Sequence, residues 1–152
     1  MKSLHRPGDL AEVLRRLRAL TPATPRRWGR MSAHQAVCHL ADAFRSPLGE
    51  RDSAPAAVGP VTRGFFRLVA LHTPVPWRRG APTLPEFDQL KAGTPPRDFE
   101  QDVTALEELV HRFADHGGRG LQPHPLFGRL SPREWGVWGY RHMDHHLRQF
   151  GT

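Results

Sequence analysis

Ser131-Pro132-Arg133-Glu134-Trp135-Gly136-Val137-Trp138-Gly139-Tyr140-Arg141-His142-Met143-Asp144-His145-His146-Leu147-Arg148-Gln149-Phe150 is the stretch on which the fold turns. Its start carries the marks of a helix N-terminus: Ser131 as cap, Pro132 at the first helical position and Glu134 three residues after the cap. Only Gly136 and Gly139 weaken the run to Phe150, each by about 1 kcal/mol relative to Ala. At about 100° per residue, His142 and His146 stack about 40° apart, and Trp135, Trp138, His145 and Gln149 fall within about 60° of His142. One helical face therefore carries two tryptophans, three histidines and a glutamine.

Two histidines four apart on one helix bring their imidazoles within reach of a single metal ion. The same spacing also arises from packed or exposed histidines in a chain that has 10 of them. A third ligand would separate the two readings, because sites inside helical bundles draw their ligands from facing helices.

Composition narrows the classes. At 152 residues the chain reads as one domain with room for a real core. No run of about 18 apolar residues and no signal-peptide pattern is present, so a soluble, cytoplasmic protein with no membrane partner is expected. The single cysteine, Cys38, argues against a disulfide framework and a cysteine-based zinc site. The net charge of +7 rests on arginine, since Lys2 and Lys91 are the only lysines. A pI of about 11.1 invites nucleic acid as a partner. However, the arginines are scattered, with no recognition helix, finger or basic tail, so sequence-specific binding is not expected.

Outward from the last helix, the chain divides at its prolines and glycines. Asp9 with Glu12 reads as a capping pair for a first helix, with Leu10, Val13, Leu14 and Leu17 at helical spacing up to Leu20. Thr21–Pro25 breaks it. Ser32 with Gln35 opens a second helix, limited by Pro47 and Gly49. Val37, Leu40, Ala41, Phe44 and Leu48 form its apolar side. His39 shares a polar, small-residue face with Ser32, Gln35, Ala36, Asp42, Ala43 and Ser46, a face that either lines a cavity or meets solvent. A short third helix is expected over Val61–Leu71, and residues 73–96, dense in proline, should be irregular. A connection that long is often a functional cover. Its Trp77-Arg78-Arg79-Gly80 segment could meet an anionic ligand or simply be solvated. Asp98 with Gln101 starts a fourth helix that Gly117-Gly118 ends. Five helices and no convincing strand give an all-α bundle.

Taken with His39, the C-terminal pair gives the chain a likeness to a known superfamily. Trp28-Gly29-Arg30-Met31-Ser32 precedes the second helix, and His124-Pro125-Leu126-Phe127-Gly128 precedes the last. His142-Met143-Asp144-His145-His146-Leu147-Arg148-Gln149-Phe150-Gly151 closes the chain. With these motifs it resembles the DinB/YfiT-like superfamily over nearly its whole length, closest to an uncharacterised branch. The resemblance implies a four-helix bundle with an additional short helix and a long Pro-rich connection. It implies His39, His142 and His146 as ligands of a divalent transition metal, with His145 and Gln149 beside the site.

Three neutral imidazoles would leave a position open for water or substrate, and they suit zinc, nickel and iron alike. Some members of the superfamily are thiol transferases that hold a low-molecular-weight thiol as thiolate, and others are assigned to hydrolysis through metal-bound water. Asp42, one turn after His39, then reads as an acceptor for an imidazole N–H, a general base or a solvated carboxylate. Gln149, with Gln35, is a candidate for orienting substrate. The superfamily often dimerises, so a homodimer is among the expected states. Three functions remain in view: a metal-dependent enzyme acting on a small thiol or on water, a non-catalytic metal-binding stress-related protein, and a metal-free bundle with weak nucleic-acid affinity.

Overall fold

Two full capping boxes anchor the helices that matter most. In the computed structural model, which describes residues 1–152, Ser32 and Gln35 cap one reciprocally, as do Ser131 and Glu134. Each box is worth about 1 kcal/mol to its helix. The helices are α1 (Pro7–Arg18), α2 (Ala33–Arg45), α3 (Pro60–His72), α4 (Phe99–Asp115) and α5 (Pro132–Gln149), with a single 3₁₀ turn at Pro85–Phe87. No strand forms; the only extended pairing is one antiparallel bridge between His124 and Gly128. The protein is all-helical, and no helix is long and apolar enough to cross a membrane.

The start of α1 differs from the sequence expectation. Pro7 occupies the first turn, the capping position is Arg6, and no side chain caps the helix. The Asp9 carboxylate instead accepts from the backbone N–H of Ser3 at 2.9 Å, which ties down the N-terminal arm. Proline at the first helical position supplies the helical φ and has no N–H of its own to leave unsatisfied.

The core is shared by α1, α2, α4 and α5. Val13 and Leu17, Val37 and Phe44, Leu106 and Phe113, and Met143 and Leu147 are all fully buried. α2 packs most extensively on α4, while α5 meets α1, α2 and α3. Both helix glycines of α5 mark close approaches. A Cβ on Gly139 would lie 2.6 Å from Leu4 Cδ1 and 3.0 Å from Phe113 Cε1, and one on Gly136 would meet Ser3 and His5. The helix thus trades propensity for intimate contact with the N-terminal arm.

α3 stands apart. Leu71 is its only buried residue, and Val61, Phe65, Phe66 and Leu68 are exposed. What docks it is an ion pair: Arg67 donates twice to Glu134, at 2.6 and 2.7 Å, and His72 lies 2.9 Å from the same carboxylate. Glu134 thereby caps α5 and clamps α3, and the Arg67 guanidinium holds its carboxyl well below the usual range.

The Pro-rich stretch is ordered by α2. Asp42, fully buried, accepts from Thr94 N at 2.8 Å, Thr94 Oγ1 at 2.7 Å and Gln89 Nε2 at 3.1 Å. Arg45 and Arg51 also face it, at 3.2 and 3.3 Å. Arg51 in turn donates to the carbonyls of Glu86 and Ala92. A proline-rich segment is thus held over the polar face of α2 by one buried carboxylate together with the Arg51 guanidinium.

Candidate metal centre

The polar face of α2 is interior. His39, Asp42 and Ser46 are all buried, so of the two readings open for this face, solvent exposure is not the one observed. α2 presents His39 to α5, where the rings of His142 and His146 meet it at centroid distances of 5.2 and 4.6 Å. His142 and His146 lie 5.1 Å apart. One ring nitrogen from each of the three falls within 4.8 Å of the others, so the group could hold a metal ion.

Hydrogen bonds turn two of these rings. His39 Nδ1 lies 2.7 Å from the carbonyl oxygen of Phe87. A carbonyl can only accept, so Nδ1 carries the proton and Nε2 is left with a bare lone pair. The acceptor for His39 is therefore the backbone of the 3₁₀ turn, and Asp42 holds the loop that carries it. His146 Nδ1 lies 3.1 Å from Gln149 Oε1, and Gln149 Nε2 donates to Trp28 O at 2.9 Å. Because the amide nitrogen is committed to a carbonyl, Oε1 must accept from His146, which again leaves Nε2 bare.

The Trp28-Gly29 turn makes this relay possible. Gly29 has φ +81°, and a Cβ there would sit 2.6 Å from Gln149 Nε2. Both the left-handed backbone and the close approach require glycine.

The donor set fits a divalent ion. His39 Nε2 and His142 Nε2 are 3.2 Å apart. Two imidazole nitrogens bound to one tetrahedral ion at about 2.0–2.1 Å would be about 3.3 Å apart. Such neighbours repel unless a proton or a cation lies between them. His142 Nδ1 is buried with no partner, and the bare His39 Nε2 can only accept, so without an ion the His142 ring proton lies on Nε2, toward His39. Burial pushes all three pKa values down, and in His142 and His146 the neighbouring histidines add to the effect. The three rings are thus kept neutral, the state in which imidazole ligates a metal.

An aromatic floor lies beneath. Trp138 is 5.2 Å from His142 and packs on Phe44 at 5.5 Å and on Trp135 at 5.3 Å. His124, from the His-Pro segment, stacks on Phe127 at 4.5 Å and meets Trp138 at 5.3 Å. At the rim, Trp77 from the Pro-rich connection approaches His142 at 5.7 Å and His145 at 6.0 Å. Arg141 pins that loop by donating to the carbonyls of Thr73 and Val75. Trp28 meets His145 edge-on at 4.7 Å, with the Arg79 guanidinium 5.5 Å above its own ring.

The fold therefore gathers His39, His142 and His146 at one point, with His145 beside them and Gln149 behind His146. Asp42 lies on the same side of α2, its carboxylate engaged by the loop. The Phe87 carbonyl was not foreseeable from sequence, because a backbone acceptor 48 residues from His39 leaves no mark in side-chain identity. Trp28 and Trp77 were visible only as tryptophans among prolines and glycines.

Residues 2–152 match the model of a family described as a protein of unknown function, DUF1569, and the chain belongs to that family. No curated protein and no solved structure matches it.

Proposed function

We propose that this member of a family of unknown function is a metal-dependent enzyme of the DinB/YfiT-like type. In this reading His39, His142 and His146 hold one divalent transition ion, and a small thiol is the group activated. The observation that carries it is the convergence of three neutral imidazoles from two helices, His39 and His146 buried and His142 partly so, with the two buried rings oriented by fixed hydrogen bonds. An ion on three protein ligands keeps a coordination position open, where it lowers the pKa of a thiol, or in a hydrolase of water, toward neutrality.

The chain's own residues supply the rest. Phe87 and Gln149 orient His39 and His146, a role that in metal sites commonly sets affinity. His145, 5.1 Å from His146 and kept unprotonated by its lowered pKa, is our candidate to accept a hydrogen bond from the thiol and relay its proton to solvent. Trp28 and Trp77 form a rim that excludes water from one side, and Arg79 over Trp28 offers a cation to a carboxylate-bearing thiol. A second reading, a metal-binding protein without turnover, is favoured by depth: His39 and His146 are only 5% and 8% exposed.

Elemental analysis of untagged protein beside His39→Ala and His142→Ala tests the site. About one equivalent of a first-row transition metal, lost in both variants, is the expected result. A protein that carries none and takes up neither zinc nor nickel would overturn the metal reading. A screen of low-molecular-weight thiols against electrophiles then separates the enzyme from the silent binder.

A further inference from the structure

A second set of ligand-type side chains converges on the other side of α2. His34 and Cys38, four apart and so on one helical face, meet Asp102 in the first turn of α4. Their ligand atoms all lie within 4.8 Å of one another. We propose that His34, Cys38 and Asp102 form a second metal site, separate from the three-histidine centre, that takes a divalent borderline-soft cation of the zinc type.

The geometry supports coordination. A tetrahedral zinc bound to sulfur at about 2.3 Å and to oxygen and nitrogen at about 2.0–2.2 Å sets the sulfur about 3.6 Å from the oxygen, and the nitrogen about 3.4 Å from it. Cys38 Sγ is already 3.6 Å from Asp102 Oδ2. His34 Nε2, at 2.7 Å from the same oxygen, needs to withdraw by about 0.7 Å to match that tetrahedral edge. Its side chain is 18% exposed, so one edge of the ring faces solvent. Asp102 Oδ2 also accepts from Arg97 N at 3.2 Å, and the His34 ring rests on the edge of Phe99 at 5.3 Å. The carboxylate and imidazole are therefore both positioned from outside the cluster, as ligands usually are.

Charge balances as well. On binding, the Cys38 thiol gives its proton to solvent, and the proton that His34 Nε2 donates to Asp102 in the metal-free chain is exchanged through solvent so that the neutral ring carries its proton on Nδ1. The thiolate and carboxylate together neutralise a dipositive ion, and the partly exposed side leaves a fourth position to water. Sequence argued against a cysteine-based site because a lone cysteine cannot supply several thiolates. The fold instead supplies a mixed donor set, one ligand of each kind.

Cobalt(II) titration of the reduced, metal-stripped full chain is the test, because only a thiolate gives an intense sulfur-to-cobalt charge-transfer band in the near ultraviolet. The three-histidine centre contains no sulfur and is silent there. A band saturating at one equivalent in the His39→Ala/His142→Ala double variant, lost in Cys38→Ser and weakened at least about tenfold in His34→Ala and Asp102→Asn, is expected. Absence of the band in the wild-type chain at saturating cobalt overturns the proposal without reliance on any variant. A band whose affinity is unchanged in His34→Ala overturns it too, since the thiol would then be binding alone.

Discussion

Replacing Gln149 by alanine removes two hydrogen bonds at once, from His146 Nδ1 at 3.1 Å and to Trp28 O at 2.9 Å. The first keeps the His146 proton on Nδ1 and its lone pair on Nε2; the second keeps the amide from flipping. Loss of such a partner behind a ligating histidine weakens metal binding by about 10–100-fold, or about 1.4–2.7 kcal/mol. The orphaned His146 N–H is buried, which adds about 1–3 kcal/mol of lost stability. Zinc affinity is best read by competition with a chromophoric chelator, alongside a urea melt of the metal-free protein. Gln149→Glu is the informative companion: it keeps an acceptor for His146 but sets a carboxylate oxygen against the Trp28 carbonyl. It should retain more zinc affinity than the alanine variant while losing stability. If Gln149→Ala binds zinc within about twofold of wild type, the amide does not orient His146 and the relay from Trp28 has no role in metal binding.

Other consequences are as concrete. His124 and His145, pushed by burial down to about 3 and about 4, stay neutral in the folded chain while the unfolded chain protonates below about 6.5. Metal-free protein should thus be most stable above that value and lose up to about 1.4 kcal/mol per histidine per pH unit on acidification to pH 4; a flat urea-stability profile across this window would contradict their burial. The Glu134 carboxyl is depressed, so its contribution is present above about pH 4.5 and lost as pH falls further. Glu134→Gln should cost about 2 kcal/mol at neutral pH and speed amide exchange in α3 selectively; unchanged exchange there would show that the helix docks by other means. Gly139→Ala sets the overpacking cost of a methyl on Leu4 and Phe113, about 1–3 kcal/mol, against about 1 kcal/mol of helix propensity. A thermal melt should show net destabilisation, and a stabilised variant would mean the contact relaxes freely.

Much of this protein is written in local sequence. Ser32 with Gln35, Asp98 with Gln101 and Ser131 with Glu134 begin helices where their capping chemistry predicts, because a cap and its amide are three residues apart. The same locality stacks His142 on His146 and sets Trp138 on their face. α1 shows the limit, since Asp9 could cap but was recruited by Ser3, outside the helix. The apolar Val61, Phe65, Phe66 and Leu68 of α3 are exposed, because periodicity registers which residues share a face and not what covers it.

Only tertiary structure decided what each site residue touches. His39 meets His142 across 103 positions and the Phe87 carbonyl across 48, and Gln149 reaches Trp28 across 121. Asp42 became the anchor of a proline-rich loop, and Cys38 joined Asp102 across 64 positions. These partners depend on helix packing and on the course of an irregular chain. Helix propensity and periodicity extend over a few residues, so the sequence by itself could set which side chains share a helical face, while the facing helix and loop set what those side chains meet.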